Sequence, residues 1–549
     1  MSKQIIGKVS ATERNPNTVT DFHFWTHSEI ILKPFDVVVV EHIKNSKTYG
    51  VVEEISHVTD TPSFLASYVS SDFGDVDVKT FTKRLGMNYV KASVSGNNKG
   101  IFIPVLDGKG VRLATRKEIL EALGLDKIKN PLLSGYIDMY SDIGEKTKEI
   151  VEVNLDKEDI LGPRSAHLNI SGISGLATKT SYGMFMVKSL QDQHIKGELN
   201  ENIAYIVFNV KGRDLLRVDE PNNDLTNSQK QVYKKLNVNP LPLENVNYFY
   251  PYHQNFGNTY VEKEVFEKQQ KNGTAKYFGY QYSKVRENID LFFGNTEDPT
   301  GTMESVIDKI ITDPEFSKLR TWNDFRGVLQ EKMEPGRKDR TSKEIMVASW
   351  RKFYRIINKF LSNQIFIQKH GKTVDLREHI TQIKGNEIFV IDISKLQENL
   401  QSFIFGDVLG AVRDLKLGGT ERTDDIPDRI VIFMDELNKY ASKEKYRSPI
   451  CTEILDVTER GRSLGIILFG AEQFKSELHD RVTGNTATNV YGRTNSMELS
   501  KTDYRFIPPV YKSMLQRVPP GELIIQSPQF RTLIKIKFPF PSYHQPIGK

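Results

Sequence analysis

The sequence predicts an α/β fold in which a P-loop nucleotide-binding core follows a small β-barrel and is interrupted by an insertion carrying a helical bundle. Three observations predict it. A short, partly apolar run, Ala166 to Ile170, enters a glycine loop that ends in Lys179-Thr180. A distant apolar run, Arg429 to Met434, delivers two carboxylates, Asp435 and Glu436, at its end. Ahead of both, the chain up to about Thr115 consists of short β-branched stretches separated by polar turns.

The first region, residues 1–115, offers Asp36 to Glu41, Tyr49 to Ile55, Tyr89 to Val94 and Gly100 to Val105 as strands, divided by turns such as Ser95-Gly-Asn-Asn-Lys-Gly100. A small closed barrel satisfies their edges most economically. Residues 116–160 form a connector, with a short helix over Arg116 to Gly124 and a strand and turn within Lys146 to Leu161. Residues 161–215 hold the first part of the core: strand, glycine loop, the apolar helix Ser181 to Leu190, and a second strand at Ala204 to Val210.

The loop departs from G-x-x-x-x-G-K-[ST]. Thr178 stands where glycine precedes the lysine, and Gly172 lies seven positions before Lys179, one more than the pattern. In isolation it also reads as a glycine turn joining a strand to a helix. The strand–loop–helix order and the downstream carboxylates favour phosphate binding, because backbone N–H groups and a helix N-terminus then face the anion. The candidate phosphate-binding residues are Gly172, Gly175, Ala177, Thr178, Lys179, Thr180 and Ser181.

Residues 216–386 read as an insertion. Its aromatic clusters, Tyr248-Phe-Tyr-Pro-Tyr252 and Tyr277-Phe-Gly-Tyr-Gln-Tyr282, are expected to be strand residues packing on a core, with base stacking beside Lys276, Lys284 and Arg286 as the alternative. Its second half suggests helices: Thr341 and Glu344 could form a capping box, and Ile345, Ala348, Phe353, Ile356, Ile357, Phe360 and Leu361 approximate one stripe. The core resumes over residues 387–515 with strands at Ile388 to Ile393, Arg429 to Met434 and Leu464 to Ala471, a helix at Phe403 to Val412, and a mobile loop expected at Gly418 to Asp425. Residues 516–549 supply edge strands over Leu523 to Ile536 and a C-terminal arm.

Composition sets outer limits. A chain of 549 residues exceeds one ordinary core, so two or three domains are expected. With 38% hydrophobic and 26% charged residues it is a globular sequence, not a disordered one. The single cysteine, Cys451, excludes intramolecular disulfides and Cys-rich zinc motifs, which suits a reducing compartment and points to the cytoplasm. No apolar leader or membrane-length run is present, so no membrane partner is expected. The net charge of +5 is a weak pointer to polyanions for one subunit, but it sums to a substantial field around a ring.

The chemistry these residues suit is phosphoanhydride hydrolysis, which needs positioning and charge neutralisation more than covalent steps. Lys179 would neutralise phosphate oxygens of ATP, Thr180 and Asp435 would hold Mg²⁺, Glu436 would activate the attacking water, and Gln473 would sense the γ-phosphate. The alternative for Asp435-Glu436 is a solvated charge pair after a buried strand. Arg460, Arg462 and Arg164 are candidates for stabilising transition-state charge, at least one of them in a neighbouring subunit's site; surface salt-bridging is the alternative for each.

The segments Ile430-Val-Ile-Phe-Met-Asp-Glu-Leu-Asn438, Glu459-Arg-Gly-Arg-Ser-Leu-Gly-Ile-Ile-Leu468 with Glu472-Gln473, and Asn485-Thr-Ala-Thr-Asn-Val-Tyr-Gly-Arg493 resemble the HerA family of hexameric DNA translocases, a branch of the HerA–FtsK ATPases. The resemblance runs through nearly the whole chain. It implies a RecA-like P-loop ATPase core with a barrel of the HerA-associated type, a homo-hexamer, double-stranded DNA as partner, and hydrolytic roles for Glu436, Gln473 and Arg462, with Arg164 reaching a neighbour's nucleotide. The altered loop, and Asn209 where a strand often ends in aspartate, depart from the family pattern and bear on affinity and turnover. By that loop the resemblance is closer to bacterial relatives that act with a nuclease or a sirtuin-like NAD-hydrolysing effector in anti-phage defence than to the archaeal end-resection helicases. Two function classes follow: an ATP-driven DNA motor, or a nucleotide-binding ring scaffold that assembles or gates an effector without translocating DNA.

Overall fold

In the computed structural model the residues described are 4–70, 73, 77, 85–140, 148–173, 179–293, 301–334, 345–369, 371–444 and 448–546. The chain divides into two compact units, Met1–Asp156 with Asn495–Phe538, and Lys157–Thr494 with Pro539–Lys549.

The first unit begins with six strands, β1 (Ile5–Val9), β2 (Asp21–His27), β3 (Val37–Glu41), β4 (Lys47–Thr59), β5 (Gly86–Asn97) and β6 (Gly110–Leu113). They close into an antiparallel barrel in the order β1-β2-β5-β4-β3-β6. Phe22, Phe24, Val38, Val40, Val52, Val90 and Val111 fill it, alternating inward as the two-residue period of a strand requires. Gly100 to Val105, expected as a strand, is not one; Val105 instead packs its side chain into the barrel core from a loop, and β1, β2 and β6 supply the strands needed for closure. Helix α1 (Arg116–Leu123) follows, opened by a capping box in which Thr115 accepts from the Glu118 N–H. Glu118 also pairs with the buried Arg112 at 2.8 Å. The hairpin β7 (Pro131–Met139) and β8 (Glu149–Asp156) comes next.

The second unit is built on a nine-stranded, wholly parallel sheet. Its strands are β9 (Ala166–Ser171), β10 (Ile203–Asn209), β11 (Val246–Pro251), β12 (Ala275–Phe278), β13 (Thr373–Val374), β14 (Ile388–Asp392), β15 (Arg429–Met434), β16 (Ile466–Glu472) and β17 (Thr486–Tyr491). They lie in the order β13-β12-β11-β14-β10-β15-β16-β9-β17. Every residue of β10, β14 and β16 is buried, as strands covered on both faces require, and this explains their near-continuous apolar sequences. Taken as β9, β10, β15, β16 and β17, the five strands from β10 to the β17 end run 2-3-4-1-5, the RecA-like arrangement in which one strand separates the phosphate-loop strand from the carboxylate strand.

The aromatic stretches of the insertion belong to this sheet. β11 and β12 extend it beyond β14, with Tyr248, Phe249, Tyr250 and Phe278 buried, so these rings pack a core and do not present faces to bases. The helices α2 (Lys179–Ile195), α3 (Thr302–Thr312), α4 (Trp322–Lys332), α5 (Val347–Phe360), α6 (Glu398–Lys416) and α7 (Pro449–Leu464) complete the unit. The core of α3 to α5 is aromatic, as in the stacked Phe293–Phe353 and Phe316–Trp350 pairs. On α5 the buried stripe is Trp350, Phe353, Ile357 and Phe360, while Ala348 is exposed; the proposed cap Thr341 and Glu344 lies outside the described residues. The loop Gly418 to Asp425 is fastened by Arg422, which donates to the carbonyls of Thr381 and Ile383 at 3.1 and 2.8 Å.

Beyond β17, the expected C-terminal strand run resolves into two strands of the first unit, β18 (Glu522–Gln526) and β19 (Ile534–Lys537), antiparallel to each other, with β19 joined to β7. Among the described residues no helix is long and apolar enough to cross a membrane.

Helix α2 lies so close to the sheet that a Cβ at Gly183 would sit 2.2 Å from Cε2 of Phe433 on β15. Gly183→Val should therefore destabilise the second unit by about 1–3 kcal/mol through overpacking, read as a lowered urea midpoint. An unchanged midpoint would show that the helix is free to shift.

Candidate functional site

The C-terminal edge of the parallel sheet gathers the predicted residues. β9 runs into Gly172, whose φ of 145° suits glycine and whose missing Cβ would lie 3.0 Å from the carbonyl oxygen of Arg493. Two backbone bonds fix the start of the loop between its neighbours: Gly172 N–H donates to Glu472 at 3.1 Å and Ile173 N–H to Arg493 at 2.7 Å. Gly175, Ala177 and Thr178 lie outside the described residues. Lys179 opens α2, so its charge and the helix N-terminus occupy the same place, an arrangement suited to anions.

From β15, one strand removed from β9 across β16, come the carboxylates. Lys179 Nζ is buried, 3.6 Å from Asp435 Oδ1 and 3.8 Å from Glu436 Oε1, and makes no hydrogen bond. Thr180 Oγ1 donates to Asp435 Oδ2 at 3.0 Å. Glu436 stands in the left-handed region at φ 57°, a conformation that costs a non-glycine residue about 1 kcal/mol or more. Its N–H donates to Asp435 Oδ1 at 2.8 Å, which sends the two carboxylates in different directions from consecutive residues. Gln473, just past β16, donates its amide to Glu436 Oε1 at 3.3 Å. Ser181 is buried in the first turn of α2.

Two contributors were not singled out from sequence. Lys211, just past β10, forms an ion pair with Glu436 Oε1. Beneath the loop, the fully buried Glu472 accepts from Asn169 Nδ2 at 2.8 Å, and burial pushes its carboxyl up to about 8 against the opposing effects of Asn169 and Lys475. Lys475 is also buried, bonded to Asn489 Oδ1 at 2.7 Å and Tyr491 Oη at 2.9 Å. The signal that could have found this layer is the placement of Asn169, Glu472 and Lys475 in or beside apolar strands, where polar groups need partners.

The donor set fits a nucleotide triphosphate with Mg²⁺. A buried ammonium without a hydrogen bond, at a helix N-terminus, is suited to phosphate oxygens, and a threonine hydroxyl already beside a carboxylate is suited to one hard cation. Among the described residues no group of three or more His, Cys, Asp or Glu side chains is arranged to hold a metal alone.

The three arginines occupy the opposite edge. Arg164 precedes β9, and Arg460 and Arg462 end the helix that precedes β16. Arg462 donates to the Arg164 carbonyl at 2.9 Å, so two candidates chosen from separate segments meet in space. Arg164 pairs with Asp159 at 3.1 Å and Arg460 with Asp456 at 3.3 Å, both from exposed positions. A six-residue strand spans about 20 Å, so none of the three is brought to Lys179 of its own chain.

No protein-family model matches the chain, and no curated protein matches it in sequence. Among solved structures it is similar to the bacterial conjugative coupling protein TrwBdeltaN70, at 12% identity and a TM-score of 0.41, over 72% of this chain and 89% of that one. VirB4 of Thermoanaerobacter pseudethanolicus is similar at 13% identity and a TM-score of 0.43, over 75% and 96% respectively. The genome packaging NTPase B204 from Sulfolobus turreted icosahedral virus 2, in complex with AMPPCP, is similar over 30% of this chain and 71% of that one, at 14% identity and a TM-score of 0.23.

Proposed function

We propose that this chain is an ATP hydrolase of the HerA–FtsK class that works as a homo-hexameric ring moving double-stranded DNA. The observation that carries the reading is the convergence of Lys179, Thr180, Asp435, Glu436 and Gln473, drawn from three adjacent strands, within hydrogen-bond or ion-pair distance of one another. A nucleotide-holding scaffold needs the lysine and threonine but has no use for the glutamate and glutamine.

In this reading Lys179 leaves the carboxylates for the triphosphate, which exchanges one buried ion pair for another and leaves no buried charge alone. Thr180 and Asp435 hold Mg²⁺, which supplies charge neutralisation at the phosphate oxygens. Glu436 accepts the proton of the attacking water and Gln473 orients it. Arg462, steadied by Arg164, acts on a neighbour's nucleotide. The direct test is ATP turnover by the purified chain with Mg²⁺. Lys179→Ala should weaken nucleotide binding by at least about tenfold, since a charge-assisted contact to the ground-state phosphates is lost. Unchanged binding would remove Lys179 from the site.

DNA binding should be dominated by the phosphate backbone, because a motor that reads bases strongly would stall at preferred sequences. For six to ten phosphate contacts, duplex affinity should fall by about 10³–10⁵ between 50 and 200 mM salt. No binding at 50 mM salt, with ATP analogue present, would instead favour the scaffold. The proposed cytoplasmic setting rests on the single cysteine, Cys451, and the nuclease or NAD-hydrolysing effector on the sequence resemblance. Co-purification with the product of the adjacent gene tests the effector.

A further inference from the structure

Lys211 lies outside the motifs that mark the site, yet the sheet register brings it to the centre. β10 and β15 are parallel neighbours with Phe208 opposite Met434, so the segments leaving the two strands run side by side and Lys211 meets Glu436. The contact converges on one atom. Glu436 Oε1 takes the Lys211 ammonium and the Gln473 amide, with the Lys179 ammonium 3.8 Å away.

The two lysines differ in their freedom to move. The Lys179 side chain is 2% exposed, whereas that of Lys211 is 40% exposed and can exchange its partner for water without burying a lone charge. Lys179 also has a second partner waiting in the phosphates, while Lys211 belongs to the segment after β10 and not to the phosphate loop. Binding of the triphosphate would therefore release the first lysine and leave the second on the carboxylate.

We propose that Lys211 is a latch on Glu436: it holds the carboxylate engaged in the resting protein, and its departure is what frees that group to work on water. The latch rests on the reading of Glu436 as the water-activating residue. While the ion pair persists, both lone-pair directions of Glu436 Oε1 are taken by the Lys211 ammonium and the Gln473 amide, so that oxygen is closed to the attacking water and basal turnover stays low. Lys211 is thus a positioning residue with a restraining effect.

Two measurements test it. Steady-state kinetics without DNA should show kcat of Lys211→Ala raised about tenfold, the effect of losing one charge-assisted bond, with KM little changed and the low rate restored in Lys211→Arg. Acetylation of Lys211, followed by mass spectrometry on the ligand-free protein, should be several times faster in Glu436→Gln than in wild type, because the neutral amide no longer holds the ammonium. A slower Lys211→Ala enzyme would make Lys211 a participant in the reaction and overturn the latch, as would equal acetylation in the two proteins. If wild type hydrolyses ATP and Lys211→Ala is no faster, the latch alone falls. If neither turns over ATP even with DNA, the hydrolase reading falls and takes the latch with it.

Discussion

Glu436→Gln should bind ATP with Mg²⁺ as tightly as wild type and hydrolyse it more slowly by a factor of at least about 10², the range that removal of a general base spans. The substitution keeps shape and hydrogen-bonding capacity in a site where Glu436 is 5% exposed, so packing against β15 and β16 is preserved. What is lost is the negative charge that can take a proton. Lys179 and Thr180, which meet the ground-state phosphates, are untouched, and this is why binding and turnover should separate. The measurement is nucleotide affinity beside single-turnover hydrolysis. Equal turnover in the two proteins would remove Glu436 from the reaction.

Arg462→Ala should reduce turnover by about 10³-fold, the lower end of the range for an arginine that completes a phosphoryl-transfer site. Within one chain Arg462 and Lys179 stand at opposite edges of the sheet, so an effect of this size requires a second subunit. Mixing decides it. Arg462→Ala subunits retain Glu436, and Glu436→Gln subunits retain Arg462, so interfaces with one of each, in the productive order, regain a complete site. The mixture should hydrolyse ATP faster than either protein alone, with a dependence on mixing ratio set by ring geometry. No recovery at any ratio, or a fully active monomer at micromolar concentration, would sink the shared site.

Legibility in the sequence followed the kind of force involved. The buried parallel strands were readable because a strand covered on both faces must be apolar throughout: the expected span Arg429 to Met434 is the observed one, and those at β10, β14 and β16 differ by a residue or two. The barrel was recognised as a class, yet β1, β2 and β6 escaped. β2 reads Asp-Phe-His-Phe-Trp-Thr-His, and its apolar face emerges only when partner strands close around it. Membership of β11 and β12 in the central sheet was likewise invisible, since aromatic content predicts packing but not which strand lies alongside.

In the candidate site, Lys179, Thr180, Asp435, Glu436 and Gln473 are picked out by spacing, and the fold brings these five together. Lys211, Glu472 and Lys475 are not picked out by spacing. Their roles come from sheet order, which sets β10 beside β15 and β16 beside β9, and no local pattern encodes that adjacency. The meeting of Arg462 with Arg164 is of the same kind.

The strand order also dictates a timetable for synthesis. β9, which runs into the candidate phosphate loop, pairs with β16 and β17, and the last of these ends at Tyr491, whereas β9 ends at Ser171. At a ribosomal pace of about 5–20 residues per second, the strand waits roughly 15–65 s for its neighbours, with both edges unpaired. During that interval an apolar strand with open edges is exposed to mispairing. A chain truncated before β16 lacks the strand that lies between β9 and β15, so an aborted product does not seat Lys179 beside Asp435.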